Sequence, residues 1–247
     1  MKAFKTMLKT EFRLSLRGMD MIIFSVGLPL VVAVILGIIY GDKPAFEGAG
    51  YTFMEQSAGA SASVGICAAG VMGLPIVLSD YRHRKILKRY RVTPVSPAML
   101  MAVQVVINFI YALASLAVVF AASFLFFGVT FKGSVIGFIG SFLLVTVSIF
   151  SIGMMIAAVS KDIKTSNVLC SVFYFPMLIF SGATLPYEVM PPALQKVSDF
   201  MPLTQGIKLL KGTFIGLPLD NILVPMIVMV VLSVICVFLS IRFFKWE

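Results

Sequence analysis

The chain has 247 residues, of which 60% are apolar and 13% charged, with a formal net charge of +9 and a mean hydropathy of +1.03. Soluble chains carry roughly 25% charged residues, so a surface this poor in charge excludes a soluble enzyme and dissolves most of the chain in lipid. The length suits about six membrane-spanning helices of roughly 20 residues each, leaving no room for a large aqueous domain.

Residues 1–20 carry Lys2, Lys5, Lys9, Arg13 and Arg17 ahead of the first apolar run. No small-residue cleavage site follows that run at the expected spacing, so no cleaved signal peptide is expected. Phe4, Met7, Leu8, Phe12 and Leu16 recur near helical spacing, with the basic residues on another face. That pattern predicts an amphipathic interfacial helix. The competing reading is a solvated basic flank that only sets orientation. Gly18 then permits a bend.

Span one covers about 21–40, with Pro29 predicting a kink. A polar connection over 41–57 leads to span two, about 58–79, where Ala58, Ala62, Gly65, Ala69 and Gly73 follow three- and four-residue steps. A small-residue stripe admits close helix approach, which predicts that this span packs inside the protein. The alternative is that small residues are simply frequent in membrane helices. Residues 80–97 are the most charged segment, with six basic residues and Thr93-Pro94 and Ser96-Pro97 at its end. Spans three and four follow at about 99–127 and 134–159, joined by a tight link. A second charged link, 160–166, precedes span five at about 167–181. Residues 182–221 are rich in Gly and Pro and predict an extracellular region of partly re-entrant or surface-lying helices. Span six, about 222–244, ends in a basic and aromatic anchor of Arg242, Lys245 and Trp246.

The fold expected is therefore all-α and integral to the membrane: one 1–247 domain of six transmembrane helices behind an N-terminal amphipathic helix. With six spans, 15 of the 20 basic residues fall on the side of the two termini. The positive-inside rule then places both termini in the cytoplasm. Cys67, Cys170 and Cys236 are odd in number and lie in apolar runs, which argues against disulfides or a metal cluster.

No catalytic constellation is visible. The one histidine, His83, sits among arginines and reads as a solvated loop residue. The spans carry no acidic or basic residue away from their ends, which speaks against ion coupling. The G-x-x-x-x-G-K-[ST] phosphate loop is absent. Gln104 and Asn108 share a face of span three, for helix-to-helix hydrogen bonds or for substrate contact. On span five, Phe173, Tyr174, Phe175, Met177 and Phe180 suit either apolar ligands or acyl chains. Arg82, Lys85 and Arg89 fall at i, i+3 and i+7, with Ile86, Leu87 and Tyr90 beside them, as on a short docking helix. Anionic lipid headgroups are a second reading of this cluster; nucleic acid is disfavoured for so short a loop.

The segment from Asp80 to Pro97 resembles the cytoplasmic coupling segment of the type-2 ATP-binding-cassette exporter permeases. Phe180-Ser181-Gly182-Ala183-Thr184-Leu185-Pro186, Met190-Pro191-Pro192 and Met201-Pro202-Leu203-Thr204 are similar to that family's pattern after span five, in the same order. The resemblance spans essentially the whole chain. It implies a bacterial plasma-membrane permease, a homodimer in the family's manner, paired with two copies of a separate ATPase. ATP and Mg would bind that partner and no cofactor would bind this chain. It further implies that Asp80, Arg82, Lys85, Ile86, Leu87, Arg89 and Tyr90 couple to the ATPase. The substrate path would run between the two copies, past Gly65, Ala69, Asn167, Phe173 and Phe180. The expected function is export of amphipathic or hydrophobic compounds, such as drugs, peptide antibiotics or lipids. The rival is a self-contained channel or scaffold whose basic loop binds lipid.

Overall fold

The computed structural model describes residues 2–41, 43–45, 50–86, 96–184, 187 and 190–243. Among these the chain is helical, with one isolated bridge between Pro44 and Thr52. Six helices are long and apolar enough to cross a membrane, the number expected from the hydropathy pattern.

Helix α1 (Lys2–Arg17) turns Met7 inward, with Phe4, Leu8 and Phe12 packed on the core beside it. Lys5, Lys9, Arg13 and Arg17 point outward. Its apolar face is thus taken up by the bundle, where Phe12 meets Tyr111 with ring centroids 6.3 Å apart and Ser15 Oγ lies 2.8 Å from the Tyr111 hydroxyl. Leu14 and Leu16 remain exposed. After Gly18, α2 (Met19–Tyr40) begins the first span.

Pro29 does not break α2. A proline lacks its N–H and crowds the carbonyl four residues back, and here the helix widens to a π turn over Ile23–Gly27 just before it. The same solution recurs in α3 (Phe53–His83), where a π turn over Ala68–Gly73 precedes Pro75. A π turn absorbs the misfit within a continuous helix.

Helix α3 is the axis of the fold: 83% of its apolar window is buried, against 28% for α2 and 17% for the last helix. Its small residues explain how. A Cβ at Gly65 would fall 2.0 Å from Ser115 Oγ and 2.7 Å from the Ser25 carbonyl oxygen, so α2, α3 and the helix that carries Ser115 meet there with no space left over. The predicted inward packing of the stripe is what the structure shows. The helix is longer than the 58–79 expected. It starts at Phe53 because Thr52 and Glu55 form a reciprocal capping box, which carries Glu55, Gln56 and Ser57 out of the supposed connection and into the buried helix. At 31 residues it is about 46 Å long at 1.5 Å per residue, so its ends extend beyond a hydrocarbon core of about 30 Å.

Helix α4 (Pro97–Phe127) is capped by Ser96 and stopped by Gly128 in the left-handed conformation. Helix α5 (Val135–Val159) is capped by Ser134. Helix α6 (Ile163–Phe180) starts four residues before the expected boundary, because Asp162 accepts the Thr165 N–H at 2.8 Å. The 182–221 region holds α7 (Pro192–Asp199) and α8 (Pro202–Ile215). Helix α8 lies inside the protein, with Leu203, Leu210 and Phe214 fully buried against α3, α5 and the last helix, α9 (Leu219–Phe243).

Candidate functional site

The last turn of α3 carries the described part of the coupling segment. Successive helical residues point about 100° apart, so Tyr81 and Arg82 reach different neighbours. Tyr81 is buried and donates its hydroxyl to the Glu11 carboxylate of α1. Gln104 of α4 donates to the same carboxylate at 3.0 Å and to the Tyr81 hydroxyl at 3.3 Å. Three helices are therefore joined at one carboxylate, which is the helix-to-helix role weighed for Gln104. Asn108 donates to the Gln104 carbonyl at 2.9 Å.

Arg82, half-buried, donates through Nη1 to the carbonyl of Ser160. Ser160 is the C-cap of α5 and is itself held by the Ile156 carbonyl, from its N–H at 3.0 Å and its hydroxyl at 2.7 Å. A cation at the end of a helix meets the negative pole of the macrodipole, so this contact is favourable in charge as well as geometry. Asp80 pairs with Arg84 at 2.8 Å on the outer face.

The expected continuous helix through Arg82 and Lys85 is not what the structure shows. The helix ends at His83, and Lys85 adopts a left-handed φ of 56°. Such a residue cannot continue a right-handed helix, so Arg82 points inward while Lys85 is exposed and Ile86 packs on the core. Leu87, Arg89 and Tyr90 lie outside the described residues. Beside this turn a cavity of about 330 Å³ opens against α1, bordered by Glu11, Asp20, Asp80 and Gln104. Across it lies the α5–α6 link, where the Thr165 N–H holds the Asp162 carboxyl below its ordinary range.

The five residues placed on the substrate path are not gathered in one cavity of the described chain. Gly65 and Ala69 are buried in the α3 packing. Asn167 is exposed on α6, Phe180 is half-buried, and Phe173 borders a cavity of about 350 Å³ with Pro176, Met177, Pro202 and Cys236. A larger apolar groove of about 710 Å³ runs between α4, α5 and α9, lined by side chains such as Phe109, Phe150, Met154 and Ile241.

The far end of the bundle is polar. Glu55, with its side chain 5% exposed, pairs with Lys132 at 2.8 Å and accepts the Thr130 hydroxyl at 2.6 Å, fastening α3 to the α4–α5 turn. The Thr52-x-x-Glu55 capping box was the sequence signal for this carboxylate, and hydropathy alone passed over it. Nearby, a cleft of about 680 Å³ is bordered by Gln56, Tyr187, Gln205, Lys208 and Asp220. In it Asp199 pairs with Lys208 at 2.6 Å and accepts the Tyr187 hydroxyl at 3.1 Å, while Lys208 sits 4.2 Å from the Tyr187 ring centre. Burial pushes the Tyr187 hydroxyl up, and its bond to Asp199 adds to this. No sequence pattern announced this cluster, whose members come from separate segments. Among the described residues no group of acidic, histidine and cysteine side chains is placed to hold a metal ion.

Comparison with known proteins fits this membrane architecture. A family described as ABC-2 type transporter matches residues 2–215. The chain is similar to Nodulation protein J of Rhizobium leguminosarum bv. viciae, with 28% identity over 93 residues. It is likewise similar to the proteins of that name from Neorhizobium galegae, 28% over 94 residues, and Sinorhizobium fredii, 27% over 94 residues. Each match takes in 38% of this chain and spans about a third, 34%, of the length of the relative.

Proposed function

Because the chain belongs to the ABC-2 type transporter family, we propose that it is the membrane subunit of an exporter for amphipathic or hydrophobic compounds, driven by a separate ATPase. Membership makes it a multi-pass membrane protein, of the plasma membrane in bacteria, and a transport subunit rather than a catalytic ATPase. ATP and Mg belong to the partner in this reading. The observation that carries the coupling is the turn at Arg84–Lys85: it ends a buried spanning helix and presents charged side chains outward at its tip. Asp80, Lys85 and Ile86 are proposed to meet the ATPase, as are Leu87, Arg89 and Tyr90, which lie outside the described residues.

Two copies complete the transporter. Helix α6 is the least apolar of the six spans, yet only 22% of its window is buried. Val168, Val172, Phe175 and Ile179 form an exposed stripe at steps of four, three and four residues, with Asn167 exposed and Ser171 half-buried beside it. Polar side chains facing lipid are disfavoured, and a second copy would cover them. The substrate path is proposed along this face, with Asn167, Phe173 and Phe180 nearest it and Gly65 and Ala69 in the helix behind. The apolar groove between α4, α5 and α9 supports an apolar cargo that enters from the membrane.

Purification of the tagged chain in mild detergent tests the reading. Co-purification of a phosphate-loop ATPase with vanadate-sensitive ATP hydrolysis is the expected result. A chain that purifies alone, is indifferent to ATP and conducts ions or binds lipid by itself would replace it with the channel or scaffold reading. A Val172→Cys variant should cross-link to its counterpart in the second copy.

A further inference from the structure

We infer that Arg82 is a positioning residue that carries movement of the coupling segment to the α5–α6 link, rather than a docking contact for the ATPase. The inference rests on the transporter reading above. Three observations support it. Arg82 leaves the outer face of α3 and donates to the Ser160 carbonyl, which terminates α5 two residues before the Asp162 cap of α6. The neighbouring Tyr81 anchors the same turn to α1 and α4 through Glu11 and Gln104. The helix stops immediately afterwards, at His83, so both contacts are made by its last turn.

Rigid elements pass motion through contacts that hold in both end states. A push on the turn at Arg84–Lys85 is delivered to α3, and α3 is joined sideways to α1 and α4 by Tyr81 and to the α5–α6 link by Arg82. Helix α6 is the span with the least support inside the chain after α9, and its N-terminus at Ile163 directly follows Ser160-Lys161-Asp162. Through Arg82 the ATPase stroke therefore reaches the helix proposed to line the substrate path. A lysine at position 82 would keep a donor and a positive charge but lose the planar, many-donor guanidinium. An alanine would lose the contact altogether.

The test places spin labels at two exposed positions, His83→Cys and Lys161→Cys, and measures their separation within one chain, diluted with unlabelled copies. It is made first on the purified chain alone and then on the complex with its ATPase, without nucleotide and with ATP plus vanadate. With Arg82 present, one narrow distance is expected in all states. With Arg82→Ala, a broadened distance is expected in the chain alone and a second, longer population in the trapped complex. Arg82→Lys should fall between them, and the amount of ATPase recovered should match the parent. Circular dichroism and a monodisperse elution profile confirm that each variant is folded. An unchanged distance distribution in Arg82→Ala overturns the inference, as does loss of the ATPase from that variant, which would return Arg82 to the docking surface. If the parent chain recovers no ATPase, the transporter reading fails and the transmission role with it, while the distances in the chain alone still report whether Arg82 holds the α5–α6 link.

Discussion

Glu55 offers the sharpest test of how the far end is held together. Its carboxylate accepts the Thr52 N–H at 2.9 Å and Lys132 Nζ at 2.8 Å on one oxygen, and the Thr130 hydroxyl at 2.6 Å on the other. Glu55→Gln keeps an oxygen for Thr52 and Lys132, and its amide can donate to a rotated Thr130 hydroxyl, so mainly the charge is lost. The Lys132 side chain is 41% exposed, which screens the ion pair, and exposed pairs contribute only about 0–1 kcal/mol. Together with weaker hydrogen bonds to a neutral acceptor, the expected cost is about 1–2 kcal/mol. Glu55→Ala loses half of the capping box, about 1 kcal/mol, and two charge-assisted hydrogen bonds of about 1.5–3 kcal/mol each, the larger values applying to the buried ones. With Lys132 free to reach water, a net loss at the low end of that sum, about 4 kcal/mol, is expected. Lys132→Met leaves the carboxylate buried with two neutral donors and should cost about 2 kcal/mol, below the 3–5 kcal/mol of a fully buried broken pair. Unfolding in mixed micelles by titration with sodium dodecyl sulfate, followed by circular dichroism, gives all three values and the Glu55→Gln/Lys132→Met cycle. The reasoning is refuted if Glu55→Gln costs as much as Glu55→Ala, or if the cycle shows coupling below about 0.5 kcal/mol, the scatter of independent sites.

Gly153→Ala would place a Cβ 1.9 Å from the Gly70 carbonyl oxygen, a backbone atom that cannot swing aside. It should part α3 from α5 and cost about 1–3 kcal/mol or more, whereas Gly140→Ala on the same helix meets nothing within 4 Å and should be neutral in the same assay. Asp162 has a lowered pKa because the folded chain donates to its carboxylate. Its capping contribution is therefore present above the unfolded-state pKa and is lost as the pH falls through the lower folded value. Exchange protection of the Thr165 amide should fall across that acidic window and become flat in Asp162→Asn, which still caps; an unchanged slope refutes this. Tyr81→Phe removes the donor to Glu11 and should expose α1 to limited proteolysis, while Tyr111→Phe, which loses only a neutral hydroxyl contact with Ser15, should do so less.

Number, order and approximate limits of the spans were legible in the sequence, because transfer of apolar side chains to lipid depends on composition over a local window of about 20 residues. Helical period alone was also enough for the inward stripe of α3, with Gly65 and Ala69 on it, whereas the caps at Ser96, Ser134 and Asp162, though local, went unread. The capping box at Thr52 was equally local, yet a hydropathy boundary at residue 58 hid it, since Glu55 is buried by its partners rather than by its own transfer energy. Tertiary structure alone decided where the charges point. Arg82 and Lys85 have the spacing of one helical face, but a left-handed Lys85 and the open carbonyl of Ser160, 78 residues away, turn one inward and leave the other outside. The Tyr187, Asp199 and Lys208 cluster and the Glu55–Lys132 pair likewise depend on which segments meet. Pairing energies between distant residues leave no periodic trace in a chain, whereas burial in lipid does.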